Sequence, residues 1–92
     1  MKKKANLATD PLLAGVCRAL SQRREDLGIS QEEVAHRAGL HRTYISDIER
    51  GARNPTLKTL GRLAGALDIS VSTVIANAEA LVFEEVRGKQ GR

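Results

Sequence analysis

Aromatic side chains are almost missing from this 92-residue chain, which has one Tyr, one Phe and no Trp. Proteins that grip single-stranded nucleic acid by stacking need several exposed rings, so that mode of binding is excluded. The single cysteine, Cys17, rules out an internal disulfide and a multi-thiolate zinc site. His36 and His41 are the only histidines, too few for a metal centre, so neither metal nor cofactor is expected. There is no glycine-rich phosphate cradle, and no serine or cysteine stands where a histidine could activate it, so no enzyme is expected. Long apolar runs are also lacking: nothing approaches the ~18 residues of a membrane span. Met1-Lys2-Lys3-Lys4 is a positive start and the run Leu12 to Cys17 faintly resembles a lipid-attachment box. Asp10-Pro11 breaks the stretch between the two, however, and Val16 stands where a small residue is required, so a cytoplasmic protein is expected.

What is present is a small, moderately basic domain. Hydrophobic residues at 41% make the chain too apolar for disorder. A domain of this length buries only about 60 to 65% of its unfolded surface, so function belongs on the outside rather than in a deep pocket. By the same argument no small-molecule effector is expected. Residues 1–9 read as a flexible basic arm, 10–86 as one folded domain, and 87–92 as a disordered tail.

Nearly everything between the ends has helical period. Asp10-Pro11 is a cap followed by proline at the first helical position, and Leu13, Val16, Cys17, Leu20 and Leu27 keep one face until Gly28. Ser30-Gln31-Glu32-Glu33 has capping-box form and opens a second helix that Gly39 ends. A third helix, at about 41–50, turns Ile45 and Ile48 inward and stops at Gly51. Thr56 caps a fourth, in which Leu57, Leu60, Leu63, Ala64 and Leu67 are assigned to the core. Ser70 caps a fifth, apolar at Val71, Val74, Ile75, Ala78, Leu81 and Val82. No strand alternation appears, so the expected fold is all-α with five helices.

Residues 31–50 are the informative part, because two short helices joined by a glycine-opened turn cross steeply and let the second project into a groove. Val34, Ala35, Ala38, Leu40, Ile45 and Ile48 supply the packing. The outward set is then Arg42, Thr43, Ser46, Asp47 and Arg50, a polar stripe able to meet base edges. A guanidinium can pair bidentately with guanine O6 and N7, and threonine can touch a thymine methyl. Charge is placed unevenly. Residues 51–70 carry Arg53, Lys58 and Arg62 against Asp68, a net +2, whereas 31–50 sum to −1. Nonspecific affinity is therefore expected from the joint, the start of the fourth helix and the lysine-rich arm, with sequence choice from the third helix.

Gln31-Glu32-Glu33-Val34-Ala35-His36-Arg37-Ala38-Gly39, followed by Arg42-Thr43-Tyr44-Ile45-Ser46, Ile48-Glu49-Arg50-Gly51 and Arg53-Asn54-Pro55-Thr56-Leu57, resembles the XRE or Cro/C1-type helix-turn-helix domain. That family includes lambdoid phage repressors and the controller proteins of restriction-modification systems. The resemblance covers about residues 12–78 and implies a compact five-helix bundle of the lambda-repressor-like DNA-binding type. It implies base-reading positions for Arg42, Thr43 and Asp47, with Ser46 on the same stripe. It places Gln31 against a phosphate and as a buttress to Arg42, brings Arg50, Arg53, Asn54, Thr56 and Lys58 to the DNA backbone, and sets Tyr44 near a sugar-phosphate edge. It also implies a structural ion pair between Arg24 and Glu49. One departure is visible. The cap before the Arg-Thr-Tyr start is His41, which caps poorly when neutral, where relatives of this type carry Asp, Ser or Thr.

One such domain touches only four or five base pairs, too few for selectivity against a genome, so a two-fold dimer is expected. Leu81, Val82, Phe83 and Val86 supply more apolar surface than one helix face can bury against its own core, and mark the fifth helix, with nearby fourth-helix residues, as the dimer interface. The function expected is a double-stranded-DNA-binding transcriptional regulator, a homodimer on a palindromic operator. The alternative is an antitoxin-like or antagonist module that binds a partner protein, with DNA binding secondary.

Overall fold

A computed structural model describes the backbone of residues 10–90 and the side chains of residues 10–84. The predicted arm at 1–9 lies outside the described residues. Among the described residues the secondary structure is helical throughout: α1 (Pro11–Leu27), α2 (Gln31–Ala38), α3 (Arg42–Glu49), α4 (Leu57–Ala66) and α5 (Val71–Gln90).

Local chemistry sets these boundaries. The Asp10 carboxylate accepts from the Leu13 amide at 3.0 Å, the Ser30 hydroxyl from the Glu33 amide at 3.0 Å, and the Thr56 and Ser70 hydroxyls from the Thr59 and Thr73 amides at 3.1 Å. The Glu33 carboxylate, instead of completing a capping box, accepts from Arg37 Nε at 2.8 Å one turn on. That bond holds its pKa below the usual carboxylate range. The first four helices all end the same way, with a left-handed residue whose amide, and the next one, bond back onto the last turn. Gly28, Gly39 and Gly51 fill this position at φ near 70°, and Asp68 fills it after α4 with φ 57°.

The core is built from Val16, Cys17, Leu20, Val34, Ile45, Ile48, Leu63, Leu67, Val74 and Ala78, with the small Ala35 and Ala64 between them. Burial pushes the Cys17 thiol's pKa up, as expected of a thiol kept as a small hydrophobe. α1 and α5 cross closely because Gly15 has no side chain: a Cβ there would lie 2.7 Å from the Ala78 carbonyl oxygen.

Two assigned core residues lie at the rim. Leu57 is 76% exposed and Leu27 38% exposed. Each has the right angular position but sits at the end of its helix, where the neighbours that would cover it have run out. α5 also continues to Gln90, so residues 87–90 are helical rather than a disordered tail. Glu, Val, Arg, Lys and Gln are adequate helix formers, and the single Gly88 costs only about 1 kcal/mol against alanine, too little to stop a helix already nucleated. No single helix among the described residues is long and apolar enough to cross a membrane.

Candidate nucleic-acid interface

The turn between α2 and α3 is tight. Gly39 at φ 71° lets the Leu40 amide reach the Ala35 carbonyl at 2.9 Å, and Leu40 then packs against the core. α3 begins at Arg42, one residue inside the predicted 41–50, because His41 keeps an extended cap conformation and Arg50 forms the C-cap. His41 makes no side-chain capping bond. Ile45 and Ile48, 2% and 1% exposed, pin the inner face. Arg42 and Thr43 stand exposed at the N-terminal end, while Ser46 and Asp47 are half-buried further along.

What holds α3 against the body is a network centred on Glu49. Arg24 of α1 meets it with two parallel bonds, Nε to Oε2 at 2.6 Å and Nη2 to Oε1 at 3.0 Å. The two side chains are only 16% and 10% exposed, which makes this a largely buried bidentate pair. Bonding to Glu49 raises the Arg24 pKa further. Arg24 Nη1 also donates to the Ile29 carbonyl at 2.9 Å, tying the α1–α2 joint into the same cluster. Ser21 Oγ donates to Glu49 Oε1 at 3.5 Å and Gln31 Nε2 donates to it at 2.9 Å. The Gln31 amide group is therefore committed to Glu49 and not to Arg42, because a carboxylate with little access to water draws every donor within reach.

Below α3, a second group of charges faces solvent. Arg50 bonds the Asp47 carboxylate through Nη2, and Arg53 Nε lies 3.6 Å from its other oxygen. The Arg53 guanidinium also sits over the Tyr44 ring, 5.1 Å from its centroid. Tyr44 itself is half-buried against the core. Asn54, Thr56 and Lys58 are exposed around the joint and the first turn of α4, where the Thr56 hydroxyl is shared with the Thr59 amide. Arg42, Thr43, Arg50, Arg53, Asn54, Thr56 and Lys58 thus form the exposed polar set on α3 and the segment that follows it. Nothing in the sequence singles out the Asp47–Arg53 pairing, which joins a helical residue to one beyond the Gly51 turn. Nor is there a local signal for Arg23 or Arg37, which cap the end of α4 by donating to the carbonyls of Leu67, Asp68 and Ala66.

Leu12 of α1 and Val82 and Phe83 of α5 border a shallow apolar depression together with Glu79. Leu12 is 44% and Phe83 61% exposed. Leu81, expected on the same surface, instead packs against the chain's own core. The side chain of Val86 lies outside the described residues. Among the described residues no cluster of His, Cys, Asp or Glu is arranged to hold a metal ion.

A short helix docked by a glycine turn and braced through a buried ion pair, with its polar face open, defines a helix-turn-helix unit. The chain belongs to the helix-turn-helix family, whose profile matches residues 20–74. It is 44% identical over 62 residues to the immunity repressor protein of Bacillus phage phi105, a match spanning 67% of this chain and 42% of that protein. It is 51% identical over 60 residues to the HTH-type transcriptional regulator y4dJ of Sinorhizobium fredii, covering 65% of this chain and 78% of that one. Among solved structures it is similar to the restriction-modification controller protein C.Esp1396I, determined as a tetramer in complex with its natural 35 base-pair operator. The identity there is 33% and the TM-score 0.74, over 78% of this chain and 95% of that chain. The phage repressor is thus more than twice as long as the segment this chain matches.

Proposed function

We propose that this protein is a sequence-specific regulator of transcription that binds double-stranded DNA as a homodimer, laying α3 in the major groove of each half of a palindromic operator. The observation that carries the reading is the open face of α3: Arg42 and Thr43 are exposed on a helix whose other side is fixed by Ile45, Ile48 and the Arg24–Glu49 pair. Bases are read by Arg42, Thr43, Ser46 and Asp47. The backbone of the same half-site is held by Gln31, Tyr44, Arg50, Arg53, Asn54, Thr56 and Lys58, with Gln31 using whatever its bond to Glu49 leaves free. Arg24 and Glu49 act structurally, fixing the angle at which α3 leaves the body.

The apolar surface at Leu12, Val82 and Phe83 joins two copies, adding Leu12 of α1 to the α5 residues expected from the sequence. In this arrangement the two α3 helices lie ~34 Å apart and contact half-sites ~10 bp apart on one face of the duplex. The proposed action is binding without catalysis, exerted in the cytoplasm where the chromosome lies. The regulators named above favour this reading over a module whose main partner is a protein. Selection from a randomised duplex library tests it. A palindromic consensus, bound at least about 1,000-fold more tightly than random duplex and with steep salt dependence, is expected; retention of no duplex over random polymer contradicts it.

A further inference from the structure

Asp47 is held from two sides. One carboxylate oxygen is bonded by Arg50 one turn along α3, and the other faces Arg53 Nε at 3.6 Å from across the Gly51 turn. Arg53 is steadied again by the Tyr44 ring. Asp47 is 19% exposed, whereas Arg50 and Arg53 are 60% and 56% exposed. The anion is therefore set into the surface with both cations folded over it. These two arginines are the ones the DNA-binding reading assigns to phosphates, so in the free protein they are already occupied by a carboxylate on the same face.

Moving either arginine from Asp47 to a phosphate exchanges one anionic partner for another and gains little by itself. It also leaves Asp47 uncompensated beside the phosphodiester charge. That penalty disappears only where the duplex offers the carboxylate a hydrogen-bond donor. In the major groove the amino groups of cytosine N4 and adenine N6 are such donors. Adenine, however, sets the N7 lone pair beside its amino group, where it repels a carboxylate, and guanine N7 and O6 and thymine O4 present lone pairs only, which leaves cytosine as the matching base. Resting on the DNA-binding reading, we infer that Asp47 is a specificity-determining latch: it withholds Arg50 and Arg53 from the phosphates of most sequences and releases them where a cytosine amino group takes their place on its carboxylate.

Asp47→Asn removes the charge with little change of shape. On a random-sequence duplex of about 30 bp, titrated by fluorescence anisotropy between roughly 50 and 200 mM salt, the variant binds several-fold tighter than the parent. Its log affinity against log salt is steeper by about one to two, since each freed arginine neutralises a phosphate worth ~0.9 in slope. In the Arg50→Gln/Arg53→Gln background, Asp47→Asn leaves the salt slope unchanged, and only the gain from relieved repulsion between the carboxylate and the phosphates remains. Library selection with the parent enriches cytosine at one position of each half-site, and the variant loses that preference. Asp47→Ala gives the same shifts should the asparagine variant fold poorly. An unchanged slope in the Asp47→Asn variant, a steeper slope that persists without the two arginines, or an unaltered base preference overturns the latch while leaving DNA binding in place. A parent protein that binds no duplex overturns both.

Discussion

Glu49 shows most clearly how one side chain turns a sequence into a presented surface. It is the last residue of α3, it is nearly out of water, and it accepts from α1 and from the first residue of α2. A carboxylate in that position is stable only while its donors remain, because breaking a buried pair costs more than the pair itself contributes. Arg24→Ala is expected to destabilise the fold by about 3 kcal/mol, lowering Tm by more than about 10 °C in calorimetry. Glu49→Gln added to that variant recovers part of the loss, because the stranded charge is gone. No recovery would mean that Arg24 acts only through its bond to the Ile29 carbonyl. The pairing of residues 24 and 49 is implied by the family resemblance, but the hub around it is not legible locally, since Ser21, Gln31 and the Ile29 carbonyl converge only after three elements have packed. The Asp47–Arg53 pair is hidden for the same reason, because its geometry depends on the left-handed turn at Gly51.

The helices themselves were largely readable, because capping side chains and left-handed glycines are local signals: Asp10, Ser30, Thr56 and Ser70 begin the helices they were expected to begin. The exposed Leu57 and the extra length of α5 were not, because periodicity gives the angle of a residue and says nothing of where its neighbours end. α3 is the exception among the capped helices, opening on His41 without a capping bond. Its first amides are thereby left available at the edge expected to approach phosphate, where a helix N-terminus attracts anions. His41→Ser is expected to raise stability by about 0.5 to 1 kcal/mol, seen as a higher urea midpoint with an unchanged m-value. His41→Asp should stabilise comparably yet weaken binding to every duplex and flatten the salt dependence, because it fills the same site with negative charge. A stability loss from both variants would show that His41 is held by contacts other than capping.

For the whole molecule, the proposed division of work gives reading to α3 and pairing to the patch formed by Leu12, Val82 and Phe83. A single domain has too few base contacts to be selective, so in the proposed function the second copy is a part rather than an addition. Phe83→Asp places a charge in the proposed joint, and sedimentation velocity is expected to show the monomer at concentrations where the parent is dimeric. Operator affinity should fall with it by ~10-fold or more, while a single half-site is bound as before. An intact dimer in that variant would move the interface elsewhere.

The most direct measurement of the central claim is chemical protection of guanine N7, which lies in the major groove, on the selected operator. With α3 in the groove and Arg42 on a guanine, one N7 in each half-site is shielded from dimethyl sulfate, the two separated by about one helical turn. Arg42→Ala restores their reactivity and costs ~1 to 3 kcal/mol of operator binding, with little effect on random duplex. Guanines that stay reactive under bound protein, or protection that survives Arg42→Ala unchanged, would contradict it.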